Sequence, residues 1–405
     1  MKFGRYVHLG GILLALIAAI GQWHPLSVAA AQDGARVPQY KVDPWWPKSL
    51  PAPVGDDGEP HQWVLGQPGG TCIDSRDHLF AFNRGWQQGN QGKLINEGAT
   101  SIPAPPVIEF DPDGNIVNTW GDATISPPRP GVSYGASAVL PEMAHGCFVD
   151  YEDNVWLSGS EDGVVQKWSH DGKKMLLQIG TKGVCDGPAT SSPGKAYPTC
   201  GEPGNNSSQT LLNDPAGVWV DPGKDPVTGQ VGSVYIADGY GNYRVVVFDS
   251  QGKYLRQMGS AGSGEGQFVV KGGGHPHCVV VGNDDLVYAC DRGQNRIHVF
   301  DKMGNFKKTM PVDPPAHMKA NSRATWLSFS RDKAQTWMFI TDLGYNTIWI
   351  MNHATGKIVG SIGHSGRNAG DLAVPHTMAI DSKGNLYVAE TLGGGRRLQK
   401  FLLQP

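Results

Sequence analysis

One pattern of hydrophobic and polar positions recurs along the chain. Short runs in which apolar and polar residues alternate are separated by turns rich in Gly, Asp and Asn. The clearest copy is GSVYIADGYGNYRVVVFDSQGKYLRQMGS, which begins at Gly232 and contains three such runs joined by two tight turns. Because alternation with a period of two residues is typical of strands, this unit predicts three antiparallel strands.

The same unit occurs six times, and each copy follows one further short apolar run. These preceding runs are GGTCID, AHGCFVD, PAGVWVD, PHCVVVG, ATWLSFS and PHTMAID. Each repeat therefore predicts a four-stranded antiparallel sheet. Since such a sheet cannot bury both of its faces alone, its copies must stack on one another. The sequence predicts an all-β fold, a six-bladed β-propeller formed by residues 63–405.

The N-terminal residues give two further predictions. The sixth repeat reaches Pro405 with only three strands, so residues 32–62, which contain VPQYKVDPWWP, are expected to supply its outer strand. Residues 1–31 combine Lys2 and Arg5, three small residues at Ala29–Ala31, and an apolar run shorter than the roughly 20 residues of a membrane span. This predicts a signal peptide cleaved near Ala31, and a secreted or periplasmic protein with no membrane span after cleavage.

Charge and cysteine content narrow the class of protein. The formal net charge is −3, so the chain lacks the basic excess that a nucleic-acid-binding surface needs. Of the six cysteines, Cys185 and Cys200 share one loop rich in Gly, Pro and Ser, where we expect a disulfide. The other four lie in apolar strand patterns and are expected to be small buried thiols: Cys72, Cys147, Cys278 and Cys290.

Histidine occurs at the start of the first strand in alternate repeats. His145, His277 and His376 hold this position in the second, fourth and sixth repeats. Alternate blades of a six-bladed ring place such side chains about 120° apart around the channel. Three converging imidazoles with a fourth, open position are typical of catalytic zinc. The corresponding segments of the other repeats have no histidine: Gly70–Thr71, Pro215–Ala216 and Ser322–Ala324.

Nearby, His275 falls two residues out of this register. We expect it to lie in a loop, or to support the metal ligands from outside their shell.

The turn that follows the second strand carries a cationic or phenolic residue in three repeats. These residues are Arg84, Tyr240 and Arg292. The turns are expected at the same end of the propeller as the histidines. Because an arginine pairs with a carboxylate through two parallel hydrogen bonds, and nearby positive charge stabilises a tyrosine phenolate, they predict a site for an anionic substrate beside the metal. Arg244 and Arg296, on third strands, are expected to form structural pairs between blades.

Taken together, these motifs resemble the peptidyl-α-hydroxyglycine α-amidating lyase family, a six-bladed propeller of NHL-type repeats. The resemblance extends from about Trp63 to Phe401, most of the chain. The dipeptide HG at His145 and the dipeptides PH at His277 and His376 match the family's three zinc ligands.

The resemblance also implies roles for the turn residues. The turn FNRG resembles the family's Phe-His-Arg-Gly and makes Arg84 a substrate-binding arginine, while DRGQNRI makes Arg292 a second one. DGYGN places Tyr240 at the catalytic tyrosine. The implied reaction splits a C-terminal α-hydroxyglycine, on a small molecule or a peptide, into an amide and glyoxylate. Zinc would bind the substrate hydroxyl, and Tyr240 would take its proton.

Two positions depart from the family pattern. Thr377 stands where the family has an aspartate that binds structural calcium, so a calcium site would lack one ligand. Gly241 stands where the family has a disulfide-bonded cysteine. Neither change touches the predicted zinc ligands.

Two other functions fit a propeller of this kind. One is a lactonase-like metal-dependent hydrolase, although such propellers hold calcium with Asp, Asn and Glu whereas this channel has histidines. The other is a non-catalytic NHL propeller that binds a protein or a glycan, because fold alone does not set function. A closed propeller of this type is expected to be a monomer.

Overall fold

A computed structural model shows the predicted architecture, a ring of six four-stranded antiparallel sheets. It describes residues 36–54, 57–84, 101–121, 140–191, 197–270, 275–321, 323–392 and 394–405. The predicted signal peptide, residues 1–31, lies outside these ranges. Within them, no helix has the length and apolar character needed to cross a membrane.

Each of the first five blades runs from the channel outward in chain order. Blade one consists of Pro68–Ile73, Leu79–Asn83, Val107–Phe110 and Ile116–Trp120. Blade two consists of Ala144–Val149, Val155–Gly159, Val165–Trp168 and Met175–Ile179. Blade three consists of Pro215–Lys224, Val231–Asp238, Arg244–Phe248 and Tyr254–Met258.

The second half of the ring follows the same order. Blade four consists of Val279–Val281, Leu286–Asp291, Arg296–Asp301 and Phe306–Pro311. Blade five consists of Ala324–Phe329, Trp337–Asp342, Thr347–Asn352 and Lys357–Ile362. Blade six contributes Pro375–Ile380, Leu386–Glu390 and Arg397–Leu403. First strands of successive blades contact each other all the way round, so they surround a central channel.

The outer strand of blade six comes from the N-terminal side of the chain. Tyr40–Asp43 pairs antiparallel with Arg397–Leu403, with Tyr40 opposite Leu403. A few residues later, Trp46 is buried against Phe110 of blade one and Tyr387 of blade six, at ring-centre distances of 5.6 and 5.0 Å. The segment therefore joins the last blade to the first and closes the ring.

The inner three strands of each blade are buried on both faces against the neighbouring blades, whereas the outer strands are partly exposed. Between blades one and two, for example, Phe80 and Leu157 are fully buried, and the rings of Trp120 and Trp168 lie 5.4 Å apart. Apolar burial of this kind, about 25 cal/mol per Å² removed from water, is the main force that holds one blade to the next.

Short elements lie in the connections. Three two-stranded pairs are formed by Gln62–Val64 with Ser101–Pro103, Ala189–Thr190 with Thr199–Cys200, and Ser260–Ala261 with Gln267–Phe268. Within the described ranges, 3-10 helices span Arg292–Gln294 and Ala316–Asn321.

The cysteines differ from the sequence prediction in one respect. Cys185 and Cys200 form the expected disulfide. The other four are buried, as predicted, but the prediction of free thiols is wrong, because they form two further disulfides: Cys72–Cys147 and Cys278–Cys290. The first links the inner strands of blades one and two, and the second links the residue directly before the inner strand of blade four to the second strand of that blade. The alternation of apolar residues did not reveal which of these positions face each other.

Candidate metal centre

In most blades the first strand begins with a β-bulge, in which one extra residue interrupts the hydrogen-bonded pairing with the second strand. The pairing register shifts after Pro68, Ala144, Pro215, Ala324 and Pro375. Such β-bulges redirect a side chain or a carbonyl at the end of a strand. At these shifts lie Gly69, His145, Ala216, Thr325 and His376, and His277 precedes the inner strand of blade four.

In blades one and five, the residue at this position is not the one that the comparison of the repeats assigned to it. Gly69 and Thr325 occupy it, immediately next to the predicted segments Gly70–Thr71 and Ser322–Ala324. The shift arises because a bulge adds one residue, which the alternation of apolar positions does not show.

The structure brings the three predicted ligand histidines together on the channel axis. His145 and His277 are fully buried, and His376 is 3% exposed. Their ring centres are separated by 4.6 Å from His145 to either partner and by 5.0 Å from His277 to His376. One nitrogen from each ring lies within 4.8 Å of the other two. Three histidines that are at least 99 residues apart in the sequence thus form one compact group.

Each imidazole is oriented by a backbone carbonyl of the next blade. Nδ1 of His145 donates to Ala216 O at 3.0 Å, Nδ1 of His277 to Thr325 O at 2.7 Å, and Nδ1 of His376 to Gly69 O at 2.8 Å. The three acceptors hold the equivalent position in the blades that lack a histidine. Because a carbonyl only accepts, Nδ1 carries the hydrogen in every ring, and every Nε2 keeps a lone pair.

The surroundings keep these rings neutral. Burial lowers the pKa of His145, His277 and His376 well below the ordinary value of 6.5. The positive charges of Arg84 and Arg292 act in the same direction. Neutral imidazole is the form that binds a metal ion.

Tyr240 lies directly against this group. Its hydroxyl is 3.0 Å from Nε2 of His145 and 3.0 Å from Nε2 of His277. Nη1 of Arg292 donates to the same hydroxyl, also at 3.0 Å. One hydroxyl hydrogen serves only one of the two imidazole lone pairs. The phenol oxygen therefore faces two imidazole nitrogens and one cation at once.

Arg84 approaches the group from blade one. It is buried, and its Nε donates to Ala144 O at 2.7 Å. Burial lowers the pKa of Arg84 to about 10, and the charge of Arg292 acts in the same direction. The group therefore remains a guanidinium at neutral pH. Two cations thus lie beside three neutral imidazoles, an environment that favours an anionic ligand.

One recurrent hydrogen bond explains why the turn residues reach the histidines. The backbone N–H of Arg84 donates to Gln67 O, and that of Tyr240 donates to Asp214 O. Each acceptor directly precedes the first strand of the same blade. The turn after the second strand is thus fixed at the end of the blade where the first strand begins, as the sequence predicted.

The donor set fits a single divalent transition-metal ion. The described residues offer three Nε2 lone pairs, each Nδ1 is already bonded, and the Tyr240 hydroxyl lies within hydrogen-bond distance of two of these lone pairs. Among the described side chains, Nε2 of His376 has no hydrogen-bond donor of its own. Three imidazole nitrogens suit zinc, copper, iron or nickel, whereas calcium requires oxygen ligands.

Thr377, which stands where the resemblance leads one to expect a calcium-binding aspartate, belongs to a pair of hydroxyls. Thr377 Oγ1 lies 3.2 Å from Thr71 Oγ1, and both side chains are buried. A neutral hydroxyl pair provides little of the negative charge with which calcium sites are built.

A second group of potential ligands lies elsewhere on blade one. Oxygen or nitrogen atoms of Asp74, His78 and Glu109 approach within 4.8 Å of one another. Nη2 of Arg76 lies between them, 2.9 Å from Asp74 Oδ2 and 3.2 Å from Glu109 Oε1. A guanidinium bridges the two carboxylates, so this group is an ion-pair network.

The other end of the channel is different in character. A cavity of about 480 Å³ lies among the second halves of the inner strands, lined mainly by apolar side chains such as Val149, Trp219 and Met378. None of the six predicted site residues lines it.

Sequence reasoning missed several contributors to the site. The backbone carbonyls of Gly69, Ala216 and Thr325 orient the three histidines. A backbone carbonyl cannot be inferred from the pattern of side chains. Arg244 and Arg296 are structural, as expected, but each forms its closest ion pair within its own blade: Arg244 with Asp238 at 3.0 Å, and Arg296 with Asp291 at 2.8 Å.

Comparison with known proteins agrees with this architecture. No family model matches the chain. The chain is 25% identical over 328 residues to NHL repeat-containing protein 3 of Homo sapiens, covering 76% of each protein. It is 23% identical over 256 residues to a probable peptidyl-α-hydroxyglycine α-amidating lyase of Caenorhabditis elegans, covering 62% of this chain and 60% of that protein.

A solved structure shows the same fold. A Bacteroides thetaiotaomicron protein, described as of unknown function, superimposes with a TM-score of 0.52, 12% identity, and coverage of 91% of this chain and 77% of its own. This chain is a six-bladed β-propeller whose homologues include NHL repeat-containing proteins and a probable α-amidating lyase.

Proposed function

We propose that this protein is an exported, zinc-dependent carbon–nitrogen lyase that splits an α-hydroxyglycine-type carbinolamide into an amide and glyoxylate. The observation that carries this proposal is the position of the Tyr240 hydroxyl, 3.0 Å from two imidazole nitrogens and 3.0 Å from the Arg292 guanidinium. A proton acceptor, a cation and a metal-ligand set lie within one hydrogen bond of each other. The similarity to an α-amidating lyase supports the same reaction.

In this proposal, His145, His277 and His376 hold zinc through Nε2. Zinc bound there supplies Lewis acidity, which makes a neighbouring substrate hydroxyl easier to deprotonate. The carbonyl contacts on Nδ1 keep the rings in position, because a ligand whose second nitrogen is fixed binds with little loss of freedom.

Tyr240 is the general base of the proposed reaction. Arg292 donates to its hydroxyl at 3.0 Å, and the Tyr240 oxygen takes the proton of the carbinol hydroxyl. The electrons of that O–H bond form the C=O bond of glyoxylate. The C–N bond breaks with its electron pair on nitrogen, and the proton passes to that nitrogen to complete the amide. No oxidant or reductant is required.

Arg84 and Arg292 are proposed to bind the substrate carboxylate. Each guanidinium offers a fork of parallel N–H donors, and the partial burial of the pair strengthens the attraction to an anion. A substrate held in this way presents its adjacent carbinol carbon to Tyr240. The three disulfides are typical of proteins exported to an oxidising compartment and support the proposed location.

The proposal is tested by glyoxylate release from α-hydroxyhippurate. We expect wild-type protein loaded with zinc to release glyoxylate and benzamide in equal amounts. His277→Ala should lower the rate by about a hundredfold or more, because the ligand set is broken. His364→Ala is the matched control, since the His364 side chain is 71% exposed and lies outside the site. Release that is unaffected by His277→Ala contradicts the proposal, and zinc binding without any release favours a non-catalytic propeller.

A further inference from the structure

The dipeptide His275-Pro276 lies between the two turns that carry Tyr240 and Arg292. The backbone N–H of His275 donates to Gly239 O at 2.6 Å, one residue before Tyr240. Its ring nitrogen Nδ1 accepts a hydrogen bond of 2.9 Å from the backbone N–H of Gly293, one residue after Arg292. A single residue therefore contacts the chain next to both.

The two turns are packed against this dipeptide with no spare room. A Cβ atom added to Gly293 would lie 2.4 Å from Cε1 of His275. A Cβ atom added to Gly239 would lie 1.9 Å from the carbonyl oxygen of Pro276. Both distances are far below van der Waals contact, so only glycine at each position permits this approach.

The hydrogen bonds of the His275 imidazole show which of its nitrogens makes the contact between the turns. The Gly293 N–H donates to Nδ1 at 2.9 Å, so that nitrogen is an acceptor and the hydrogen is on Nε2; Asp291 Oδ1 lies farther away, 3.4 Å from Nδ1. Nε2 is buried and has no hydrogen-bond partner among the described atoms. An apolar residue would fill this place without leaving a buried donor unpaired. The contact that requires histidine is the acceptor at Nδ1.

We propose that His275 is a positioning residue that fixes the Arg292 turn against the Tyr240 turn. Arginine has a long side chain with several rotatable bonds, so its 3.0 Å contact with the Tyr240 hydroxyl needs a fixed backbone. His275 provides this by holding the amide that follows Arg292. The inference deepens the proposed lyase function and rests on it for the kinetic part of its test.

The kinetic test compares His275→Asn with His275→Leu. The Oδ1 atom of asparagine reaches about the position of Nδ1 and still accepts from the Gly293 amide, whereas leucine only fills the space. We expect the KM for α-hydroxyhippurate to rise about tenfold in the leucine variant and to stay within about threefold of wild type in the asparagine variant. Zinc content, measured in each variant, should remain unchanged.

A second measurement does not depend on activity. Amide hydrogen exchange at Gly293 should be slow in wild type and in His275→Asn, and at least about tenfold faster in His275→Leu. If the leucine variant does not fold, His275→Gln replaces it, because the glutamine amide reaches past the Nδ1 position.

The outcomes separate the two proposals. Wild type that releases no glyoxylate, with Gly293 exchange that still responds to leucine, overturns the lyase proposal alone. Equal exchange and equal KM in wild type, asparagine and leucine variants overturn the role of His275. Equal losses in the asparagine and leucine variants also overturn it, because the ring would then act through packing and not as an acceptor.

Discussion

The guanidinium of Arg292 contacts Tyr240 at both the edge and the face of its ring system. Nη1 donates to the hydroxyl at 3.0 Å, and the central carbon lies 5.1 Å from the ring centre. The two residues come from neighbouring blades, at the same end of the channel. Arg292 therefore places a positive charge directly against the oxygen that the proposed reaction uses as its proton acceptor.

The first prediction concerns the Tyr240 hydroxyl. Tyr240→Phe removes the proton acceptor but keeps the ring, so kcat for glyoxylate release should fall by about 10²–10⁴, with KM changed by no more than about threefold. Zinc content should remain unchanged. Tyr151→Phe is the control, because Tyr151 is 49% exposed and lies outside the site. A Phe variant with wild-type kcat would show that another group is the base.

The second prediction concerns the substrate carboxylate. Arg84→Met should lower kcat/KM for α-hydroxyhippurate by about 10- to 100-fold, since a buried charge-assisted contact is lost. The corresponding carboxamide substrate has no negative charge and should be affected much less. Steady-state kinetics with both substrates give the ratio. An equal loss for both would mean that Arg84 supports the fold of the site and does not bind the carboxylate.

The third prediction concerns stability and pH. Burial raises the pKa of Asp162 from 3.8 to about 7, with Lys182 acting against the shift. An acid whose pKa is raised by folding stabilises the folded state in its protonated form. That contribution is complete below about pH 4 and is lost as the pH rises through about 7.

Asp162→Asn is therefore expected to gain stability relative to wild type as the pH rises from 5 to 8, by at most about 1.4 kcal/mol per pH unit. Urea unfolding at each pH measures the difference. Asp171→Asn is the control, because Asp171 is exposed and its hydrogen bonds to Ser169 and Lys173 lower its pKa to about 2, well below this pH range. A difference between Asp162→Asn and wild type that does not change with pH would contradict the prediction.

The fourth prediction concerns the disulfides that the sequence did not reveal. The Cys72–Cys147 bond closes a loop of 75 residues, and the Cys278–Cys290 bond one of 12. Chain entropy then gives about 4 kcal/mol of stability for the first and about 3 kcal/mol for the second. Paired Cys→Ser variants, unfolded in urea, should lose stability in that order. A mass for the intact, unreduced protein that corresponds to free thiols would show that these bonds do not form.

The fold was predictable because the alternation of apolar and polar residues reveals each strand of the repeat. Six copies of a four-stranded sheet can be combined into a compact protein in only a few ways. The cysteines show the limit of that reasoning. Cys278 and Cys290 face each other because the intervening hairpin pairs Val279 with Ala289, a register that depends on the turn geometry. Cys72 and Cys147 belong to different blades, and their contact depends on how the blades pack.

The convergence of the three histidines was also predictable. His145, His277 and His376 hold equivalent positions in their repeats. Because the six repeats form a closed ring, equivalent positions face the same central axis even when they are far apart in the sequence. The carbonyl contacts of the histidines and the proposed role of His275 could not be predicted from the sequence. Both depend on bulges and on close backbone packing at glycine, which apolar periodicity does not encode.

Removal and return of the metal test the central claim most directly. Glyoxylate release from α-hydroxyhippurate is measured on the same wild-type sample before chelation, after dialysis against a chelator, and after addition of one equivalent of zinc. We predict that release disappears with the metal and returns with zinc, with one zinc ion bound per chain. Release that continues unchanged in metal-free protein would contradict the account.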